Sequence, residues 1–258
     1  MALSEAGFGV LVVGRDRKRG EEVVRQLHSS EARFLEADFQ SIAAIRQLAE
    51  SVLEVYPSLD VLINNAGISP REKQMTVDGL ERTFAVNTVA PYLLTRLLIE
   101  PLTAARGRVV NVVTEVRPRT RIEIGDLKDP ARYSTFSAYL HSKLALEMVT
   151  LEQARRYEGK VTVVGVNPGI SFDTGLSAEL PRWFVSVAPT LARMGRRRVL
   201  TPDEAGAQVA RASTGTVTSG VIYFEGEEMS LPGQANDRPV RADLWAELQR
   251  IAGSIAPG

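Results

Sequence analysis

Apolar residues in this chain follow two alternating rhythms. Compact apolar runs lie at Phe8 to Val13, Asp60 to Ile63, Arg108 to Val113 and Val163 to Val166, each leading into small or polar residues. Such runs are the signature of strands buried on both faces. Between them lie stretches with helical spacing: Arg17 to Leu27, Ser41 to Val55, Val77 to Leu102, and a segment from about Ser137 with the stripe Leu140, Leu144, Met148 and Leu151. Shorter strands are predicted at Arg33 to Leu35 and Gly220 to Phe224, and a closing helix around Leu244 and Trp245. Pro91 predicts a bend in the long helix. Thr201-Pro202-Asp203-Glu204 reads as a capping box with proline at the first helical position. Strands alternating with helices predict βαβ units around a parallel sheet, an α/β fold. No repeat, low-complexity tract or linker interrupts the pattern, so residues 1–258 are expected to form one domain.

Composition narrows the chemistry. At 258 residues, 44% hydrophobic and 24% charged, the chain is long enough for a full α/β core. Lys+Arg and Asp+Glu both number 31, which argues against nucleic acid or an anionic membrane surface as a partner. Cysteine is absent, which removes disulfides, thiolate metal sites and thiol catalysis, and two histidines make no histidine-rich metal centre. No signal-peptide pattern opens the sequence and no apolar run reaches spanning length, so a cytoplasmic location without a membrane span is expected.

The most informative run is Tyr139-Leu-His-Ser-Lys143. On a helix, positions four apart share a face, which sets a phenol beside an amine. An ammonium there favours the phenolate and is expected to lower the tyrosine pKa, making Tyr139 a general acid/base. With Asn64-Asn65-Ala66-Gly67, Phe84-Ala85-Val86-Asn87, Val109 to Thr114 and Asn167-Pro168-Gly169 in order along the chain, this run resembles the short-chain dehydrogenase/reductase family, in the retinol-dehydrogenase-like branch. The resemblance implies a Rossmann-like, doubly wound parallel sheet and hydride transfer between a nicotinamide and a carbonyl or alcohol substrate. It implies catalytic roles for Asn87, Thr114, Tyr139 and Lys143, with Thr114 standing where the family usually carries serine. It further implies that Asp38 and Phe39 lie beside the adenine, Asn65, Ala66 and Gly67 beneath the adenosine ribose, and Pro168 and Gly169 at the nicotinamide edge. Lys143 would hold the nicotinamide ribose beside Tyr139.

Two features depart from that pattern. NAD-preferring relatives place an acid after the second strand; here Gly14 is followed by Arg15, which suits the 2′-phosphate of NADP. Arg15 to Arg19 also reads as a solvated helix start. In addition, family members begin with a strand and a glycine-rich turn that holds the pyrophosphate, whereas Met1 to Gly7 resembles the tail of the first helix. The expectation is a sheet lacking its first, central strand, in a truncated chain. Three functions remain open on the sequence: an NADP-dependent oxidoreductase, a cofactor-free acid/base enzyme (cyclase, dehydratase or isomerase), and a non-catalytic binding protein. A homo-oligomer is compatible with each. Thr174, Trp183-Phe184 and Arg196-Arg197-Arg198 are further candidates for cofactor or substrate contacts.

Overall fold

The computed structural model of the chain describes residues 1–27, 29–169 and 199–254. Strands β1 (Leu11–Gly14) and β2 (Arg33–Glu36) pair in parallel as a sheet of their own. A second sheet runs β3 (Val61–Asn64), β4 (Arg108–Val112), β5 (Thr162–Asn167), β6 (Ile222–Phe224) and β7 (Glu227–Glu228). All its pairings are parallel except the last. The helices are α1 (Ala2–Glu5), α2 (Arg17–Gln26), α3 (Ile42–Val55), α4 (Arg82–Phe84), α5 (Ala90–Leu97), α6 (Ile99–Ala104), α7 (Ile124–Lys128), α8 (Thr135–Arg156), α9 (Pro202–Thr214) and α10 (Arg238–Ser254).

Alternation along the central strands explains the layers. Val109 and Val163 join a core built with α3, α5, α8 and α10, whereas Val110, Val112, Val164 and Val166 join Ala212 of α9 on the opposite face. Both faces are covered, so the strands read as apolar runs rather than as alternating patterns. The helix starts follow local chemistry. Asp16 caps α2, Ser41 caps α3, and Thr201 with Glu204 forms the expected capping box of α9. Arg108 closes the other end of α9 by donating to the carbonyls of Ala212 and Gly215 at 2.6 and 2.9 Å.

The sheet is divided where the sequence placed the missing strand. β1 uses one edge for β2 and β3 uses one edge for β4; between them lies a cleft of about 720 Å³ lined by Leu11, Val13, Val61, Leu62 and Ile63, among others. The two half-sheets do not pair, and apolar side chains from both, together with Leu94 and Leu98, line the cleft.

Several boundaries differ from the sequence reading. The second-strand run pairs only from Leu11, and α8 begins at Thr135, after Ser134, two residues before the expected start. The long helix begins at Arg82 rather than Val77, because the Glu81 carboxylate accepts the N–H groups of Thr83 and Phe84, each at 2.9 Å. Its irregularity is a π-turn, Ala85–Val89, in which the Ala90 N–H reaches back to the Ala85 carbonyl. Pro91 has no N–H to offer the Asn87 carbonyl one turn earlier, and the chain widens just ahead of the proline.

A buried polar chain ties α8 to the sheet. Asn64 donates to Asn111 Oδ1 at 2.8 Å, and Asn111 donates to Thr150 Oγ1 at 2.9 Å and Gln153 Oε1 at 3.2 Å. Asn111→Ala removes three bonds from the interior, leaves the Gln153 amide oxygen without its donor, and is expected to cost about 2–3 kcal/mol in urea unfolding. Val77→Ala, at a side chain 90% exposed, is expected to change stability by less than about 0.5 kcal/mol.

Candidate active site

Lys143 and Tyr139 project from one face of α8, toward the C-terminal end of β4. Lys143 is 4% exposed, and its Nζ donates to the Val112 carbonyl at 2.7 Å. Thr114, two residues beyond that carbonyl, faces the Tyr139 side chain and favours its ionised form. The lysine Nζ lies 6.0 Å from the tyrosine ring centroid.

The electrostatics run against the expectation for Tyr139. Burial raises its pKa above the ordinary tyrosine value, opposed only in part by Thr114. Lys143 does not lower it, because its ammonium is turned to the Val112 carbonyl and is itself pulled down to about 8 by burial. Tyr139 is therefore a protonated phenol at neutral pH, the form that donates rather than accepts a proton.

Asn87 assembles three segments. From the π-turn its Oδ1 accepts the Ile68 N–H at 2.8 Å, while Nδ2 donates to the Ile68 carbonyl and Ser142 Oγ, each at 3.0 Å. Ser142 Oγ donates in turn to the Tyr139 carbonyl at 2.7 Å. The exit of β3, the π-turn and the reactive turn of α8 are thus bolted together. Gly67 sits over this junction: a Cβ there would lie 3.5 Å from Lys143 Nζ and 3.6 Å from Asn87 Oδ1. The missing side chain leaves the lysine open on that side.

Pro168 and Gly169 follow β5. Gly169 has φ +89°, and a Cβ on it would stand 2.8 Å from Leu200 Cδ1, so conformation and space both require glycine. Asn167 Oδ1 fixes it by accepting its N–H at 3.0 Å.

The remaining sequence-predicted positions stand apart. Asp38 is exposed and accepts the Gln40 N–H at 3.0 Å, while Phe39 lines the cleft. Asn65 and Ala66 are exposed on the cleft's other wall. Arg15 is exposed just past β1. Glu36, in register with Gly14, carries the acid at this end of the small sheet, and Arg17 Nε binds it at 3.0 Å. The structure thus gathers Asn87, Thr114, Tyr139, Lys143 and Gly67 on the larger sheet. Arg15, Asp38 and Phe39 belong to the smaller one, across the cleft. His141 is half-buried and feels Asp126 of α7 rather than the Tyr139–Lys143 pair. Thr174, Trp183, Phe184 and Arg196 to Arg198 lie outside the described residues.

Sequence reasoning missed Ser142, the Val112 carbonyl and the Ile68 backbone. Ser142 was within reach, since it lies inside the Tyr139–Lys143 turn. The other two are main-chain groups, which residue type does not reveal. No group of His, Asp or Glu suited to a metal ion occurs among the described residues.

Comparisons with known proteins identify the family. A family model described as short chain dehydrogenase matches residues 1–184. Retinol dehydrogenase 13 of Homo sapiens is 32% identical, with all of this chain and 81% of that protein covered. Polyprenol dehydrogenase of Mus musculus is also 32% identical, over 98% of this chain and 78% of that protein. Among solved structures, an uncharacterized protein from Mycobacterium paratuberculosis superposes with a TM-score of 0.75 at 26% identity, covering 97% of this chain and 88% of that one. The chain belongs to the short chain dehydrogenase family and is an oxidoreductase of that type.

Proposed function

We propose that this protein is an NADP-dependent reductase of a carbonyl substrate, with Tyr139 as the proton donor to the substrate oxygen. The observation that carries the reading is the pairing of a half-buried Tyr139, its phenol held in the protonated form by desolvation, with a Lys143 anchored on the Val112 carbonyl one helical turn away. Family membership supports a nicotinamide cofactor, and relatives named for retinol and polyprenol support the alcohol/carbonyl substrate class.

The residues present suit the nicotinamide-ribose part of that cofactor. Lys143 gives one N–H to Val112 and has two left for sugar hydroxyls. Gly67 keeps the space above it free, and Pro168-Gly169 supplies a fixed backbone edge beyond β5. A bound nicotinamide supplies or removes the hydride. Thr114 orients the substrate oxygen toward the phenol, and Tyr139 delivers the proton to that oxygen. Asn87 works at one remove: through Ser142 and Ile68 it fixes the turn that carries the tyrosine. For cofactor choice, the support is an exposed Arg15 together with a Glu36 already neutralised by Arg17. A guanidinium open to solvent beside a masked carboxylate favours a 2′-phosphate over a bare ribose.

Tyr139→Phe is expected to lower turnover by about 10²–10⁴-fold and to cost no more than about 1.5 kcal/mol in stability. Both are read from steady-state rates with NADPH and from thermal melting. Full activity in this variant ends the proposal, and turnover without any dinucleotide assigns the site to cofactor-free acid/base chemistry instead.

Arg15→Ala is expected to weaken NADPH binding by about ten- to a hundredfold while leaving NADH binding nearly unchanged, because a charge-assisted contact contributes about 1.5–3 kcal/mol. Calorimetric titration with the two cofactors measures it. Equal losses would make Arg15 a structural residue only.

A further inference from the structure

Tyr139 and Lys143 are the first two members of a row on α8 spaced four residues apart, and the third is Glu147. Glu147 is fully buried, and neither carboxyl oxygen makes a hydrogen bond to any described group. A carboxyl group in that setting avoids a large desolvation cost in one of two ways: it keeps its proton, or it stands beside a positive charge. The second is at hand one turn away, where Lys143 has a single acceptor, the neutral Val112 carbonyl.

Other charged groups on and around α8 are committed elsewhere. Glu152 binds Arg155 and Arg156, and Arg156 also stacks on Trp245 of α10. Glu247 of α10 binds Lys128 and Arg250. Glu81 caps α4, and Asp126 of α7 acts on His141. The charged group that acts on Glu147 is Lys143.

We propose that Glu147 is a positioning residue acting through Lys143: its carboxylate, formed as pH rises, keeps the lysine charged at the alkaline end of the working range. The inference rests on the reading of Tyr139 and Lys143 as the reactive pair, and adds a third residue to it. Burial drives the two groups toward one another, the lysine down to about 8 and the glutamate up to about 8. Each opposes the other's shift, so loss of the glutamate proton holds the lysine proton in place. An opposite charge within about 4–6 Å moves a pKa by about 1–3 units. Glu147→Gln removes that charge while conserving shape.

The decisive measurement is the titration of Lys143 by NMR in protein carrying ¹³C-labelled lysine, with Lys143→Met used only to assign the signal. In folded Glu147→Gln the Lys143 midpoint is expected to fall by about one unit or more. The alkaline limb of the pH–rate profile should move to lower pH by a similar amount. An unchanged Lys143 midpoint in the folded variant overturns the inference.

Stability supplies a second readout that needs no turnover. A glutamate whose folded pKa is raised contributes stability that is complete below its unfolded value of 4.5 and is lost as pH climbs to about 8. The wild type should therefore lose stability relative to Glu147→Gln across that window, and a constant difference counts against the idea. If Glu147→Gln fails to fold, ¹³C-carboxyl titration of the wild type replaces both tests. One glutamate must titrate well above the others, and uniformly ordinary titration overturns the proposal. Because the Lys143 midpoint is read without substrate, an active Tyr139→Phe variant removes the reaction assigned above yet leaves the measured coupling intact.

Discussion

The placement of helix α8 on strand β4 governs everything else at the site. Its polar bonds lie inside an apolar layer: Lys143 on the Val112 carbonyl, and Asn111 on Thr150 and Gln153 farther along. Around them, Leu144, Met148 and Val149 supply the burial, but burial alone lets a helix slide or rotate. Directional bonds in a low-dielectric interior do not, since each one displaced leaves an unpaired polar group at a cost of about 1–3 kcal/mol. That fixed register is what sets the Tyr139 hydroxyl beside Thr114.

Burial has a second consequence, which is electrical. The layer that locates Tyr139, Lys143 and Glu147 also penalises their charged forms, raising both acids and lowering the base. At neutral pH the lysine is therefore the charged member of this turn, and the glutamate and the phenol keep their protons. The π-turn at Ala85–Val89 contributes to the same end by a backbone route. Proline at position 91 denies a helical donor to the Asn87 carbonyl, the turn widens, and the Asn87 side chain reaches Ile68 and Ser142 together.

The divided sheet gives the molecule two unequal parts. The residues gathered around Tyr139 and Lys143 belong to the larger sheet and the helices packed on it, joined by polar bonds. Arg15, Asp38 and Phe39, the positions matched to the adenine end, are carried by β1, β2 and the turns that follow them. The facing edges of β1 and β3 meet across an apolar cleft without direct pairing, so the two parts are held together through side-chain packing rather than through a continuous ladder.

Much of this was legible in the amino-acid sequence. Apolar runs and helical stripes located the strands and helices, because burial on two faces or on one stripe leaves a periodic trace. The capping chemistry of Ser41 and Thr201 was readable because it is local. Tyr139 and Lys143 were readable because helix geometry converts a spacing of four into a shared face. The split in the sheet was expected from the family resemblance, which puts a central strand between those of β1 and β3. Tertiary structure alone decided the rest. It turned Lys143 toward the Val112 carbonyl, raised the Tyr139 pKa by burial where a lowering was expected, widened the helix ahead of Pro91 into a π-turn, and buried Glu147 one turn along α8 from the lysine. Each of these depends on what a group meets across the fold, and desolvation is set by those surroundings rather than by residue type or spacing.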